Sequence, residues 1–191
     1  MTSIELRQAA FSYRELEMRF ELSVPSGGFL ALIGPSGGGK STLLNLIAGF
    51  ETPLSGQMLI GGRDMAGVEP AARPVTTLFQ DGNLFAHLSA AKNVALGIDP
   101  RLKLDRAGWD KVAAALGEVG LSGLGERLPG EMSGGERQRV ALARSLVRAK
   151  PVLLLDEPFA ALGPGLKREM LALVGRFWRE RALTVVMVTH S

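Results

Sequence analysis

GPSGGGKST, Gly34–Thr42, is the stretch that decides the fold of this 191-residue chain. It contains the complete pattern G-x-x-x-x-G-K-[ST], and it lies between an apolar run, Phe29–Gly34, and a helix-like stretch that continues to Gly49. Glycines at such a strand-to-helix turn let successive backbone N–H groups converge on phosphate oxygens. We therefore predict a phosphate-binding loop here, against the bland alternative of a flexible Gly/Ser turn.

The side chains of this loop have separate predicted parts in holding a nucleoside triphosphate. The Lys40 amine can reach the β- and γ-phosphates, the Ser41 hydroxyl can ligate Mg²⁺, and Thr42 can add a phosphate contact. The residues before Lys40 contribute backbone N–H groups. The predicted nucleotide-binding residues of the loop are Gly34, Pro35, Ser36, Gly37, Gly38, Gly39, Lys40, Ser41 and Thr42.

The runs around this loop predict an α/β fold. Leu16–Val24 alternates apolar and polar residues, which is typical of a half-buried antiparallel strand. Phe29–Gly34 is continuously apolar, so we expect a strand buried on both faces. Further strand candidates, the last two with little alternation, as central parallel strands have, are QMLIGG, PVTTLFQ, PVLLLDEP and LTVVMVTH. The expected fold has a mostly parallel central sheet and an antiparallel N-terminal β part.

The middle third of the chain has a different pattern. Trp109, Val112, Leu116 and Val119 recur at helical spacing, and no run between Phe79 and Pro151 has the character of a buried strand. We therefore predict a helical subdomain at about 81–145, inserted into an α/β core formed by 1–80 and 146–191. Together these parts form a single domain over 1–191.

Composition excludes several classes of protein. Apolar residues make up 46% of the chain and charged residues 21%, with a net charge of +3 and no cysteine, which is typical of a soluble globular protein without disulfides. No apolar run approaches the ~18 residues of a spanning helix, and the start has no signal-peptide pattern. Arg137, Arg139, Arg144 and Arg148 are expected to pair or to face solvent, so we predict no nucleic-acid partner.

Polar side chains follow three of the predicted strands. Asp156 and Glu157 end an apolar strand, where ligands bind at a parallel sheet. Asp156 can hold Mg²⁺, and Glu157 can polarise the water that attacks the γ-phosphate. Gln80 and His190 end two other strand candidates, where they can contact Mg²⁺ and the γ-phosphate. Either residue alone would more often be structural.

A second glycine-containing loop, Ser133–Glu136, precedes a helical pattern. Its N–H groups and the Ser133 hydroxyl form another candidate anion site. One chain is not expected to bring this loop to the phosphate held by Lys40. Two copies could enclose a γ-phosphate between both loops, whereas the bland interpretation is a helix N-cap. The predicted residues of this second loop are Ser133, Gly134, Gly135 and Glu136.

With these motifs in place, the chain resembles the ATP-binding cassette (ABC) ATPases along essentially its whole length. The resemblance implies ATP and Mg²⁺ as cofactors, ATP hydrolysis, and a head-to-tail homodimer. It also implies that Tyr13 stacks on adenine, although a packed strand aromatic is the alternative. The family's motifs correspond to stretches of this chain: the Walker A loop to Gly34–Thr42, the Q-loop to Gln80, the signature to Ser133–Glu136, the Walker B end with its catalytic Glu to Asp156–Glu157, and the switch His to His190. The resemblance therefore implies catalytic roles for Glu157, His190, Lys40 and Gln80, and Mg²⁺ ligands at Ser41, Gln80 and Asp156.

Within this family the chain is most similar to the ATP-binding subunits of bacterial thiamine importers, chiefly in NLFAHL, Asn83–Leu88, and NVALGIDPRLKL, Asn93–Leu104. The implied partners are a second copy, a membrane permease and an extracytoplasmic substrate-binding protein. The implied location is the cytoplasmic face of the inner membrane, as a peripheral subunit. An exporter or lipoprotein-release ATPase, and a soluble ABC ATPase acting on DNA or ribosomes, remain alternatives.

Three further features of the sequence lead to predictions about the permease contact, the rate of hydrolysis and the C-terminus. Leu84, Phe85 and Leu88 form an apolar set that either docks a permease helix or packs the helical subdomain. Gly163 stands where the family usually has the Asp of its D-loop, which puts the efficiency of hydrolysis in doubt. The sequence also ends one residue after His190, whereas the resemblance implies a further C-terminal strand and helices.

Overall fold

The computed structural model describes residues 2–13, 16–80 and 82–190. The elements follow one another as β1 (Ile4–Tyr13), β2 (Leu16–Val24), β3 (Phe29–Ile33), α1 (Lys40–Ala48), β4 (Ser55–Ile60), β5 (Arg63–Asp64), β6 (Val75–Leu78), α2 (Ala90–Ala95), α3 (Arg106–Glu118), α4 (Gly134–Val147), β7 (Val152–Asp156), α5 (Pro164–Glu180) and β8 (Thr184–Thr189), with short 3₁₀ turns at Pro70–Ala72 and Pro129–Glu131.

The chain divides into two compact units, which are described separately. The first contains residues 1–77, 150–157 and 175–191, and the second contains 78–149 and 158–174. Segment 158–174 thus groups with the helical part of the chain, although its sequence position suggested the α/β core.

The first unit contains both sheets. One is antiparallel with the order β2-β1-β4-β5, and β1 pairs with both β2 and β4. The other has the order β3-β8-β7-β6, and its central strand β8 runs parallel to both β3 and β7. The expected combination of a parallel sheet with an antiparallel N-terminal β part is therefore confirmed.

Helix α1 packs in one core with residues of both sheets. Leu44, Leu46 and Ile47 are buried together with Ile4 of β1 and Leu154 of β7. Burial of this apolar area supplies the main favourable term that holds the helix in place. The helix that follows the glycine-rich loop is therefore fixed from both sides, and with it the loop at its N-terminus.

Arg73 fixes the other end of α1. Its guanidinium, almost fully buried, donates to the carbonyl oxygens of Leu46 and Ile47 at 2.7 and 3.0 Å, in the last turn of the helix. Burial lowers the pKa of Arg73, but an arginine keeps its charge at neutral pH. Gly49 must lack a side chain here, because its φ is +90° and a Cβ would lie 2.5 Å from Nε of Arg73.

The expectation that Phe29–Gly34 is buried on both faces is wrong for the described residues. Strand β3 is at one edge of its sheet, with β8 as its neighbour, and 69% of Ile33 is exposed. A continuous apolar run does not distinguish a central strand from an edge strand, because only the neighbours decide how much surface is covered.

The second unit is mainly helical, as expected. Ser89, Asp105 and Ser133 cap the N-termini of α2, α3 and α4 by accepting hydrogen bonds from backbone N–H groups. Buried side chains of these helices include Val94, Val112, Leu116, Val140 and Leu142. The described residues 2–13, 16–80 and 82–190 contain no helix that is long and apolar enough to cross a membrane.

The arginines of α4 pair with backbone groups of the second unit. Arg137 donates to Met132 O at 2.6 Å, and Arg139 donates to Val119 O at 2.9 Å and to a Glu169 carboxylate oxygen at 3.1 Å. These guanidinium groups therefore have intramolecular partners, which agrees with the pairing role expected of the cluster.

Candidate ATP site

The loop between β3 and α1 has the backbone shape of an anion cradle. Gly37 and Gly39 both have φ of +79°, a conformation that other residues adopt only with strain. A Cβ on Gly39 would also lie 2.9 Å from the Met18 sulfur, so a larger residue would require the Met18 side chain to move. The glycines thus allow a tight curl directly before the positive end of the α1 dipole.

Lys40 is the first residue of α1, and its side chain folds back over the loop. Its Nζ donates to Gly34 O at 2.8 Å and to Pro35 O at 2.6 Å. The ammonium group is thereby held on carbonyl oxygens of its own loop. A phosphate in the cradle would offer charged oxygens, which bind an ammonium group more strongly than neutral carbonyls do.

Asp156 ends β7 close to the start of α1. The Ser41 hydroxyl donates to its Oδ1 at 3.4 Å. Burial raises the pKa of Asp156, with a further contribution from the Glu157 carboxylate, while Ser41, Lys40 and His190 oppose the shift. A hydroxyl and a carboxylate are hard oxygen ligands of the kind that Mg²⁺ takes together with waters and phosphate oxygens. The pair therefore fits a Mg²⁺ site that a bound nucleotide would complete.

Glu157 and His190 are in direct contact. Nε2 of His190 pairs with Oε1 of Glu157, and Nδ1 of His190 lies 3.1 Å from Gly34 O. Glu157 has a φ of +44°, and its N–H donates to Val188 O at 3.0 Å. Left-handed backbone at a residue other than glycine is strained, and such strain persists where neighbouring contacts fix it. The geometry can hold a carboxylate and an imidazole together beside the cradle.

These groups surround one cavity of about 300 Å³ in the first unit. It brings together the predicted Tyr13, 60% exposed, with the loop, Glu157 and His190. It also contains Met18 of β2, which the sequence analysis missed because a methionine in an alternating strand gives no signal for ligand binding. The lining residues are Tyr13, Met18, Ser36, Gly37, Gly39, Lys40, Ser41, Thr42, Glu157 and His190.

The second unit contains the remaining predicted residues. Ser133 and Glu136 form a capping box: Ser133 Oγ accepts from Glu136 N at 3.2 Å, and a Glu136 carboxylate oxygen accepts from Ser133 N at 2.7 Å. The bond from Ser133 N to the carboxylate lowers the pKa of Glu136, and the Ser133 hydroxyl adds to this effect. Gln80 is exposed, and its carbonyl oxygen accepts from the Gln138 side chain at 3.1 Å. Its side-chain role at Mg²⁺ stays a prediction.

Comparison with known proteins identifies the class. The family model described as ABC transporter matches residues 18–160, well over half of the chain. The chain therefore belongs to the ABC transporter family, and it is an ATP-binding and ATP-hydrolysing subunit.

Several similar proteins share one name, thiamine import ATP-binding protein ThiQ. The one from Mesorhizobium japonicum is 55% identical over 188 residues, which cover 98% of this chain and 74% of that protein. Those from Shigella boydii and Escherichia coli K12 are 53% and 52% identical, covering 98% of this chain and 81% of each relative.

A solved structure has the same fold. It is the dimeric, post-hydrolysis state of the ATP-binding cassette MJ0796 bound to ADP and Pi, with a TM-score of 0.83 and 27% identity. The match covers 98% of this chain and 88% of the other.

Proposed function

We propose that the chain hydrolyses ATP to energise a thiamine importer. The observation that carries the proposal is the 52–55% identity, over 98% of the chain, to proteins named for thiamine import. No residue of the ATP site is expected to contact thiamine, because this subunit binds the nucleotide and the permease binds the cargo. The names of these relatives favour import over an exporter, a lipoprotein-release ATPase or an ATPase acting on nucleic acid.

The site residues have distinct proposed roles. Tyr13 stacks on the base, the loop N–H groups and Lys40 bind the phosphates, and Glu157 polarises the attacking water. His190 orients Glu157 through the contact described above and would donate a hydrogen bond to the γ-phosphate. Phosphoryl transfer needs positioning and charge neutralisation rather than covalent catalysis, and these side chains supply both.

Mg²⁺ is the proposed cofactor beside ATP. Ser41 and Asp156 would hold it, since their oxygens lie 3.4 Å apart, and Gln80 is the proposed further ligand. When bound, the ion would neutralise charge on the β- and γ-phosphates. The raised pKa of Asp156 supports this role, because a cation would remove the repulsion from Glu157 that contributes to the shift.

A second copy of the chain is the proposed partner in hydrolysis. The capped N-terminus of α4, Ser133–Glu136, would close over the ATP bound at Lys40 of the other copy. The similarity to a cassette solved as a dimer with ADP and Pi supports this arrangement. Each ATP would then be enclosed between two chains, and hydrolysis would separate them.

A permease and a substrate-binding protein would complete the importer, with this subunit at the cytoplasmic face of the membrane. The proposed permease contact is the loop that contains Phe85. Its ring is 49% exposed and lies edge-to-face with His87, with centroids 6.0 Å apart. Leu84 and Leu88 are only partly exposed, so Phe85 is the apolar residue of the three that offers most contact area.

Phe85→Ser tests this contact. We expect thiamine uptake to fall at least about tenfold, as for loss of a central apolar contact, with basal ATPase unchanged. Ile98→Ser, at another exposed apolar residue (37%) of the second unit, is the matched control. Loss of solubility and basal ATPase in Phe85→Ser would show instead that the ring belongs to the core.

Reconstitution tests the function itself. The protein, co-expressed with the permease of a bacterial thiamine importer, would be placed in proteoliposomes with ATP inside and the loaded binding protein outside. Radiolabelled thiamine should accumulate with the wild-type chain and not with Lys40→Ala. ATP hydrolysis that is neither stimulated by thiamine-loaded binding protein nor coupled to uptake would overturn the thiamine assignment.

A further inference from the structure

Two side chains of α4 bind the backbone of Gln80, Gly82 and Asn83 in the second unit, which are called the Gln80 turn below. Gln138 Nε2 donates to Gln80 O at 3.1 Å. Arg144 donates from Nη2 to Gly82 O at 2.6 Å and from Nη1 to Asn83 O at 2.9 Å. Three carbonyl oxygens of one short turn are therefore bound to one helix, and one of the donors is charged, which strengthens its bonds.

The backbone of the turn also lies directly on this helix. A Cβ built on Gly82 would be 3.1 Å from Cβ of Ala141, which is fully buried. Gly82 has a φ of +64°, so another residue would be both strained and crowded. The turn and α4 are thus joined by packing as well as by hydrogen bonds.

A second set of hydrogen bonds, made by Asn93, holds the backbone that follows this turn. Asn93 of α2 is completely buried, and all its bonds go to the backbone around Phe85. Its Oδ1 accepts from Phe85 N at 2.8 Å, and its Nδ2 donates to the carbonyl oxygens of Phe85, Leu88 and Ser89. The Gln80 turn is therefore attached to α4, and the residues from Phe85 to Ser89 that follow it are attached to α2.

Gln138 has a feature that a purely structural residue would not need. Its Oε1 is buried and has no hydrogen-bond partner among the described residues. A buried unpaired oxygen destabilises a fold, and an apolar side chain of similar length would avoid that penalty. The amide therefore binds the turn through Nε2 while its Oε1 stays unpaired, which points to positioning rather than to stabilisation as its role.

We propose that Gln138 and Arg144 are positioning residues that attach the Gln80 turn to α4. The loop Ser133–Glu136 forms the N-terminus of the same helix. When this loop closes over the ATP of the other copy, α4 would therefore also move the loop that contains Phe85. The inference rests on the proposed importer function and adds the parts that transmit the movement. Neither side chain is assigned a contact with ATP or with the permease.

Gln138→Met separates positioning from fold stability. Methionine keeps the length of the side chain, removes the bond to Gln80 O and removes the unpaired oxygen. We expect an unchanged or higher Tm and an unchanged KM for ATP in basal hydrolysis. The kcat measured in the presence of loaded binding protein should fall about tenfold, as for loss of one or two hydrogen bonds. A lower Tm, or full stimulation, would overturn the proposal.

Arg144 is tested by a graded pair. Arg144→Met should abolish the stimulation, whereas Arg144→Lys, which keeps the charge but can reach fewer carbonyl oxygens, should restore part of it. Arg148→Met, at the exposed C-cap residue directly after α4, is the matched control and should behave as wild type. Equal loss in Arg144→Met and Arg148→Met would contradict a specific role of Arg144.

Hydrogen exchange tests the transmission without a permease. In a Glu157→Gln background, ATP with Mg²⁺ should change the exchange of backbone amides in 82–89, and Gln138→Met should remove that change while leaving ATP binding intact. If ATP still changes the exchange of these amides in the Gln138→Met variant, the proposed role of Gln138 is wrong. Failure of the importer assignment gives a different result, because stimulation by loaded binding protein would then be missing in the wild-type chain while the exchange response remained.

Discussion

At the scale of single residues, the ATP site holds the neighbouring carboxylates of Asp156 and Glu157. Burial and Glu157 raise the pKa of Asp156. Because the pKa of this acid is higher in the folded chain, its ionised form opposes folding above that pKa, and the penalty disappears as the pH falls below it. Mg²⁺ with ATP would remove the same penalty at neutral pH.

Asp156→Asn should therefore stabilise the nucleotide-free protein. We expect Tm in EDTA at pH 7.5 to rise by about 1–3 °C, the effect of less than about 1 kcal/mol in a chain of this size. The additional rise that Mg²⁺ and ATP produce should shrink, and the difference from wild type should narrow at lower pH. Thermal unfolding measures all three. The control variant Asp110→Asn, at an exposed position of α3, should leave these three quantities unchanged. A lower Tm for Asp156→Asn would contradict the proposed penalty.

Single residues also show what the sequence could predict of the site. Lys40, Asp156 and Glu157 were predictable because their spacing to strands and glycines is set by phosphate chemistry, and the cavity contains or adjoins them. Met18 and Asn93 were not. Their roles depend on which backbone lies opposite, Gly39 for Met18 and the Phe85 loop for Asn93, and no local pattern encodes that. The one available sign for Asn93 was an amide directly before the apolar residues Val94 and Ala95.

At the scale of elements, the start of α5 departs from the pattern of the family. Gly163 precedes Pro164, the first residue of the helix, and its carbonyl oxygen accepts from Lys167 N at 2.9 Å. A Cβ at Gly163 would meet nothing within 4 Å. An aspartate would therefore fit there, as an N-cap or as a group that reaches a second copy.

Gly163→Asp should raise the affinity of one copy for the other more than it stabilises the fold. Replacing a glycine N-cap by aspartate gains only a few tenths of a kcal/mol, whereas a new interfacial bond to a charged group contributes roughly 1.5–3 kcal/mol. We expect a nearly unchanged Tm. In the presence of ATP, half of the protein should be dimeric at a protein concentration about tenfold lower, or lower still, than for the wild type. Unchanged ATPase rate, Hill slope and dimer fraction would show that the glycine is neutral.

Elements were predictable where one local rule decided them. Strand β2 and helix α1 follow from alternation and from the glycine-rich turn. Strand β1 gave no clear alternation, because a bulge between Leu6 and Ala9, with Gln8 at φ +48°, shifts the side chains that follow by one residue. The edge position of β3 was equally hidden, since the order of strands depends on long-range pairing.

At the scale of the whole molecule, the proposed dimer would have two ATP sites, and each copy would contribute one half of each site. The loop with Lys40 and the loop with Ser133 are separate features of one chain, in different units. The central claim is that ATP binding joins two copies, each closing its Ser133–Glu136 loop over the ATP of the other, and that hydrolysis at Glu157 releases them.

The most direct measurement is the molecular mass of full-length Glu157→Gln, by size-exclusion chromatography with light scattering, with and without ATP and Mg²⁺. We expect a monomer without ATP and a dimer holding two ATP molecules with ATP and Mg²⁺, while the double variant Glu157→Gln/Lys40→Ala stays monomeric. A Glu157→Gln protein that binds ATP and remains monomeric at high protein concentration would contradict the account.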